Sequence, residues 1–159
     1  MKANVLLDLD NTLVVSYRKF KPVYANFKEH QFSSDLFILE RPYVQEFLDR
    51  LMQKYNVSIW TAATQDYARF IVENIILTKP QRRVHYVFDR RHVTQSQREY
   101  GSPKDLRLLT EVYKIPLFVN APNVIIDDLY EVCYPQLQSC IQIKSFTGND
   151  PDDDELLKF

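Results

Sequence analysis

The sequence predicts an α/β fold in one domain, a mostly parallel central sheet with helices on both faces. Three observations predict it. Short apolar runs alternate along the chain with segments of helical spacing. The first run, Val5-Leu6-Leu7, is apolar on successive residues, as a strand buried on both faces requires. Three of the runs then end in polar groups: Asp8 and Asp10 after the first, Thr61 after the second, Asp127-Asp128 after a later one. Ligands of parallel sheets bind beyond the carboxyl ends of the strands, where strand order reverses, so these clusters would leave one edge together.

The bulk composition sets the frame. A chain of 159 residues suits a single domain that buries roughly 70% of its unfolded surface. A net charge of −1 argues against a general nucleic-acid binder, so that role would need a local patch. Two glycines exclude glycine-rich phosphate loops. Nothing near the N-terminus reads as a signal peptide, and no apolar run approaches the ~20 residues of a membrane span. Cys133 and Cys140 are spaced neither as a CxxC pair nor as a zinc knuckle, so an intracellular, reducing compartment is the expectation.

In chain order, the first strand runs through Val5–Leu9 into Asp10-Asn11-Thr12. Residues 15–40, rich in aromatic and basic side chains, read as an inserted hairpin in which Val23–Phe27 pairs with Phe37–Leu39. Pro42 opens a helix whose inward stripe is Val44, Phe47, Leu48, Leu51 and Tyr55, ending at Asn56. Val57–Thr61 is the second strand, and with the helix before it makes a βαβ unit. Ala62–Leu77 reads as a helix with Ala68, Ile71, Ile75 and Leu77 inward, and Val84–Phe88 as a third strand. Arg90–Tyr100 is polar and aperiodic, hence a surface loop. Lys104–Tyr113 is a helix with Leu106, Leu109, Val112 and Tyr113 inward. Pro116–Pro122 connects to the strand Val124–Ile126, Ile141–Ile143 is a last short strand, and Asp150–Phe159 closes on a capped helix.

The chemistry concentrates at the acids. Residues two apart on a strand share a side, so Asp8 and Asp10 would sit together where the strand ends. Carboxylates that close repel unless a cation lies between them or one is protonated. A turn of Asp, Asn and Thr is the plain structural alternative. Asp127-Asp128 repeats the anomaly after another core strand. Thr61 reads equally well as a helix N-cap, and Lys104 as a first-turn lysine set against the helix dipole.

Taken together, these positions resemble the four motifs of the haloacid dehalogenase (HAD) phosphatases, in that family's order. More narrowly they resemble the branch of the C-terminal-domain phosphatases and NLI-interacting-factor-like proteins. The resembling strings are Asp8-Leu9-Asp10-Asn11-Thr12-Leu13-Val14, Trp60-Thr61 through Tyr67-Ala68, Lys104-Asp105-Leu106 and Val124-Ile125-Ile126-Asp127-Asp128, with Arg41-Pro42 between. Asn11 departs from the Glu common in the branch, Leu129-Tyr130 from its Ser-Pro, and Ser102-Pro103 from its apolar lead.

The resemblance implies a Rossmann-like HAD fold with a small hairpin insert, and an Mg²⁺-dependent phosphatase working through an aspartyl-phosphate. Asp8 would be nucleophile and metal ligand, and Asp10 general acid and base, with its backbone carbonyl on the metal. Thr12 and Thr61 would hold the phosphoryl group, Lys104 its charge, and Asp128 with Asp127 the metal. Both intervals where the superfamily inserts caps are filled by core elements, so no large cap fits and a macromolecular substrate is expected. The resemblance implies that this substrate would be phosphoserine or phosphothreonine in a protein, with Tyr17, Phe20, Tyr24 and Phe27 as a candidate docking wall. The alternatives are a polynucleotide end-phosphatase, recruiting its substrate through Arg82, Arg83, Arg90, Arg91 and Arg98, and a catalytically silent binding module.

Overall fold

The computed structural model describes residues 1–18 and 26–159. The chain opens with β1 (Asn4–Leu7) and enters a three-stranded antiparallel sheet of β2 (Val14–Tyr17), β3 (Glu29–Gln31) and β4 (Phe37–Glu40), with β4 central. Helix α1 (Val44–Lys54) returns to β5 (Asn56–Trp60). Helix α2 (Gln65–Ile71), continued by a wide π turn over Val72–Ile76, leads to β6 (Val87–Phe88). Then come α3 (Arg90–Tyr100), a second π turn at Leu108–Val112, α4 (Pro116–Val119), β7 (Asn123–Asp127), α5 (Tyr130–Cys133) and β8 (Cys140–Gln142). A 3₁₀ turn over Glu155–Lys158 ends the chain.

The central sheet is wholly parallel, in the order β6-β5-β1-β7-β8. Alternation along its strands divides the core in two. Val5, Leu7, Val57, Ile59 and Ile126 face one layer, packed by Phe47, Leu48, Ile71 and Ile75 from α1 and the α2 region. Leu6, Trp60 and Ile125 face the other, packed by Leu108, Leu109, Phe118 and Val132. Both faces are covered, which is why these strands read as unbroken apolar runs.

From β1 the chain builds outward through β5 to β6, then returns to place β7 and β8 on the opposite side. The order therefore reverses between β1 and β7. Leu7 pairs with both Ile59 and Ile126, so the tips of the three central strands end level.

Several expectations need correcting. Arg90–Tyr100 is a helix, not a loop. Its N-terminus carries a reciprocal cap between Asp89 and His92, and Gly101 closes it in the left-handed conformation at φ 72°. The segment hid its helicity by being polar all round, since only Ser96 is buried. Lys104 lies in a turn, and the helical residues behind it start later than Lys104–Tyr113 suggests. The two π turns each shift the helical face, so Leu77 and Val112 point outward while Ile76 and Leu108 are buried. Tyr55 is the extended C-cap of α1 and leaves the inward stripe. In the small sheet the partners of β4 are β2 and β3. Phe27 is in no strand, while Val23, Tyr24 and Phe20 lie outside the described residues. Cys133 and Cys140, assigned no pairing from their spacing, are joined in a disulfide.

Candidate functional site

The reversal point collects the acids. Asp8 continues β1 and donates its N–H to the Ile126 carbonyl at 3.0 Å, which sets it beside Asp127 at the tip of β7. Asp8 and Asp127 are both buried. Lys104, also buried, reaches in from its turn and bonds Asp8 Oδ1 at 2.9 Å and Asp127 Oδ2 at 2.6 Å. The other Asp8 oxygen accepts the Thr12 hydroxyl at 2.9 Å, and Asp128 Oδ1 lies 3.5 Å from that hydroxyl. Asp8, Asp127 and Asp128 each offer an oxygen within 4.8 Å of the others.

The loop that carries this arrangement is held from below. Asn11 sits at φ 65°, a left-handed turn that Asn tolerates better than most residues. Its side-chain amide donates to the Phe146 carbonyl at 3.0 Å. The fully buried Arg41 donates to the Thr12 carbonyl at 3.0 Å and grips Asp153 with two bonds of 2.9 and 3.0 Å. It also donates to the Lys144 carbonyl at 2.8 Å. Arg41 thus ties the acidic loop to the chain's C-terminal segment.

The charges do not balance. Three carboxylates face one ammonium. Burial and the Asp8 charge push Asp127 up, against the opposing pull of Lys104. Burial, the hydrogen bond with Asp8 and the charges of Asp8 and Asp127 push Asp128 up to about 7. Burial alone would lower Lys104, but Asp8 and Asp127 outweigh it and hold it charged. An all-oxygen, acid-rich cluster with surplus negative charge fits a hard divalent cation.

Asp10 stands apart, at the rim. Its Oδ1 accepts the Tyr67 hydroxyl at 2.5 Å. Burial raises its pKa; the Tyr67 bond opposes that, while Asp8 reinforces it. Thr61 is buried at the tip of β5, next to β1, and its hydroxyl accepts the Ala63 N–H at 3.0 Å. The N-cap of α2 is Thr64, so Thr61 has no capping role. A cleft of about 530 Å³ opens at Asp10 between Tyr17, Arg18, Phe32, Tyr67 and Arg90. Phe27 is engaged elsewhere, edge-on to Phe146.

The structure therefore joins Asp8, Thr12, Lys104, Asp127 and Asp128 directly, and places Asp10 and Thr61 on the same sheet edge. It disperses the arginine stretch. Arg82 is buried and bonds Gln45, Asp49 and the Ile76 carbonyl. Arg91 is paired with Asp89, and Arg90 donates to the Ala62 carbonyl. Asp153 does not stand out in the sequence, and Tyr67 figures there only inside the Trp60–Ala68 motif, with no role of its own. Its place in that motif and its position on the inward period of α2, three residues beyond Thr64, are the signals that point to it.

Comparison with known proteins agrees with this picture. The profile of the NLI interacting factor-like phosphatases matches residues 3–159. CTD phosphatase-like protein 355R of Invertebrate iridescent virus 6 is 37% identical over 98% of this chain and 93% of its own. Its counterpart in Invertebrate iridescent virus 3 is 33% identical over 99% and 92%. In structure the chain is similar to fission yeast Fcp1, an RNA polymerase II CTD phosphatase bound to beryllium fluoride. The TM-score is 0.64 at 18% identity, covering 99% of this chain but 48% of that one. A second Fcp1 structure matches at TM-score 0.62 and 20% identity, covering 92% of this chain and 42% of that one. The chain thus spans less than half of those structures and nearly all of the viral relatives. With its acids gathered where strand order reverses and the family profile running its whole length, this chain belongs to the NLI interacting factor-like phosphatases and is a phosphatase of HAD type.

Proposed function

We propose that the protein hydrolyses phosphoserine or phosphothreonine esters in proteins, with Asp8 as nucleophile and Mg²⁺ as cofactor. The observation that carries this reading is the Lys104 ammonium shared between Asp8 and Asp127. A carboxylate held that way is aimed, and the buried ammonium beside it supplies the opposite charge that a nucleophile facing an anionic phosphate needs.

Asp8 attacks phosphorus and the ester oxygen leaves, giving an aspartyl-phosphate. Asp10 donates its proton to the leaving oxygen, then withdraws one from the water that hydrolyses the intermediate and returns Asp8. Its raised pKa suits it to the first of these tasks. Lys104 bears the charge that develops on the phosphoryl oxygens, and the Thr12 and Thr61 hydroxyls donate to them. Asp8, Asp127 and Asp128, with the Asp10 backbone carbonyl, would hold the Mg²⁺. When bound, the ion neutralises the phosphate against the carboxylates around it.

A protein substrate is supported by the family and by the cleft at Asp10, whose walls mix aromatic rings with arginine. No cap domain stands over it among the described residues, so an extended chain can lie across the sheet edge. Among the described residues no helix is long and apolar enough to cross a membrane, so no membrane partner is proposed.

The test is hydrolysis of an aryl phosphate, with and without Mg²⁺, by wild type and Asp8→Asn. Wild type should depend on the ion and the variant should be silent; equal rates would end the assignment. A phosphopeptide and a 3′-phosphorylated oligonucleotide are then compared by kcat/KM, and preference for the oligonucleotide would move the substrate to the polynucleotide class.

A further inference from the structure

Lys104 carries the site's only paired ammonium among the described residues, yet no regular element presents it. It follows the left-handed Gly101 and precedes the π turn at Leu108–Val112. On one side Ser96 holds this turn, donating its hydroxyl to the Ser102 carbonyl at 2.7 Å and accepting the Asp105 N–H at 2.8 Å. On the other side a single side chain grips the backbone across Lys104. Gln136 Nε2 donates to the Lys104 carbonyl at 2.6 Å, and Gln136 Oε1 accepts the Leu106 N–H at 3.1 Å. The same Nε2 donates to the Val132 carbonyl at 3.0 Å, so the amide also fixes its own loop.

That loop has little else to hold it. None of the residues from Tyr134 to Ser139 is buried, and Tyr134 and Leu137 are largely exposed. Gln136 itself breaks the 3₁₀ run, at φ −145° and ψ 50°, and faces the Lys104 turn. The loop begins and ends at Cys133 and Cys140, which the disulfide brings to a Cα separation of 5.2 Å. With so little apolar burial, covalent closure and the Gln136 bonds remain to set its shape.

We propose that Gln136 is a positioning residue that aims Lys104 at the phosphoryl site, and that the Cys133–Cys140 disulfide holds Gln136 in place to do so. This rests on the phosphatase reading only for its effect on rate; the link between Gln136 and Lys104 is measurable as phosphate affinity.

The test is a cycle of wild type, Gln136→Met, Lys104→Ala and the double variant. Methionine keeps the length and bulk of Gln136 and removes all three hydrogen bonds of its amide. The readouts are binding of inorganic phosphate in Mg²⁺, kcat/KM for an aryl phosphate, and melting temperature. Gln136→Met should weaken phosphate binding and lower kcat/KM by about tenfold, as loss of aim at one charged contact would. The same substitution should change phosphate affinity little once Lys104 is alanine. A variant that binds phosphate as wild type does, or that loses the same factor in the Lys104→Ala background, overturns the role. A merely structural role would move the melting temperature without that dependence on Lys104.

Wild type supplies a second arm should the variant not fold. Dithiothreitol passes two electrons and two protons to Cys133 and Cys140 as it closes to its own ring disulfide. Reduced wild type should lose phosphate affinity, and reduced Lys104→Ala should not. Unchanged affinity in fully reduced wild type overturns the tether. If the aryl phosphate is not hydrolysed even by wild type, the phosphatase reading fails, while the phosphate-binding cycle still decides on Gln136.

Discussion

Among the described residues, two buried ionic clusters meet at the acidic loop, and they are built to opposite rules. In one, Arg41 meets Asp153 in a two-bond fork and directs its remaining donors at the carbonyls of Thr12 and Lys144. Cation and anion cancel. In the other, Lys104 meets Asp8 and Asp127 with Asp128 adjoining, and negative charge is left over. The clusters share the acidic loop: Arg41 binds the Thr12 carbonyl while the Thr12 hydroxyl binds Asp8. A balanced buried pair serves the fold. A buried surplus waits for a ligand of the opposite sign, and charge balance tells the two apart where burial does not.

The sharpest break in that comparison comes from removing one carboxylate from each cluster. Asp8→Asn should lower aryl phosphatase activity by at least about a thousandfold, because the nucleophile is gone. Its melting temperature should move far less than that of Asp153→Asn. Asp153→Asn strands a guanidinium in the interior and should cost about 3–5 kcal/mol of stability, read by denaturant unfolding. Should Asp153→Asn prove as stable as wild type, the Arg41 cluster is not the structural one.

Asp128→Asn sharpens the same contrast with the opposite sign. Among its described partners Asp128 has no cation, only Thr12, Asp8 and Ser145. In the metal-free fold its carboxyl is raised to about 7, so folding takes up a proton between about pH 4 and pH 7. The native state then binds more protons than the unfolded chain, and stability falls as pH rises through that window. In EDTA, wild type should melt lower at pH 7.5 than at pH 5. Asp128→Asn should flatten that slope and gain about 1 kcal/mol at pH 7.5, discounted for its partial exposure. Mg²⁺ should stabilise wild type more at pH 7.5 than at pH 5, since its ligands must first lose their protons. Melting curves that rise together with pH in both proteins would remove the surplus charge from the account.

The split between the clusters also governs how much the sequence disclosed. Strand tips were legible, because an unbroken apolar run that ends in paired acids is costly for a fold to keep without a ligand, and the order of motifs placed Asp8, Thr61, Lys104 and Asp127-Asp128 on one edge. The supports were not. Asp153 lies 112 residues from Arg41, and Gln136 lies 32 residues from the backbone it grips. No local period connects such partners. Helix α3 was missed because its signal lay in its caps, Asp89 and Gly101, and not in an apolar stripe.

Tyr67 offers the smallest and most selective effect, because its hydroxyl reaches the rim acid Asp10 and Ser16 and hydrogen-bonds no member of either cluster. Its hydroxyl donates to Asp10 at 2.5 Å and so favours the carboxylate over the acid. Tyr67→Phe removes that donor and keeps the ring that packs edge-on against Phe32. The Asp10 pKa should then rise further, driven by burial and the Asp8 charge that remain. Asp10 must be protonated to donate to the leaving oxygen, so the alkaline limb of kcat/KM should move to higher pH in the variant. The maximal rate should fall by about tenfold or less, since the acid is kept and only its aim is loosened. A limb that stays in place, with the rate reduced, would mean that Tyr67 acts by packing and that another group sets the proton transfer.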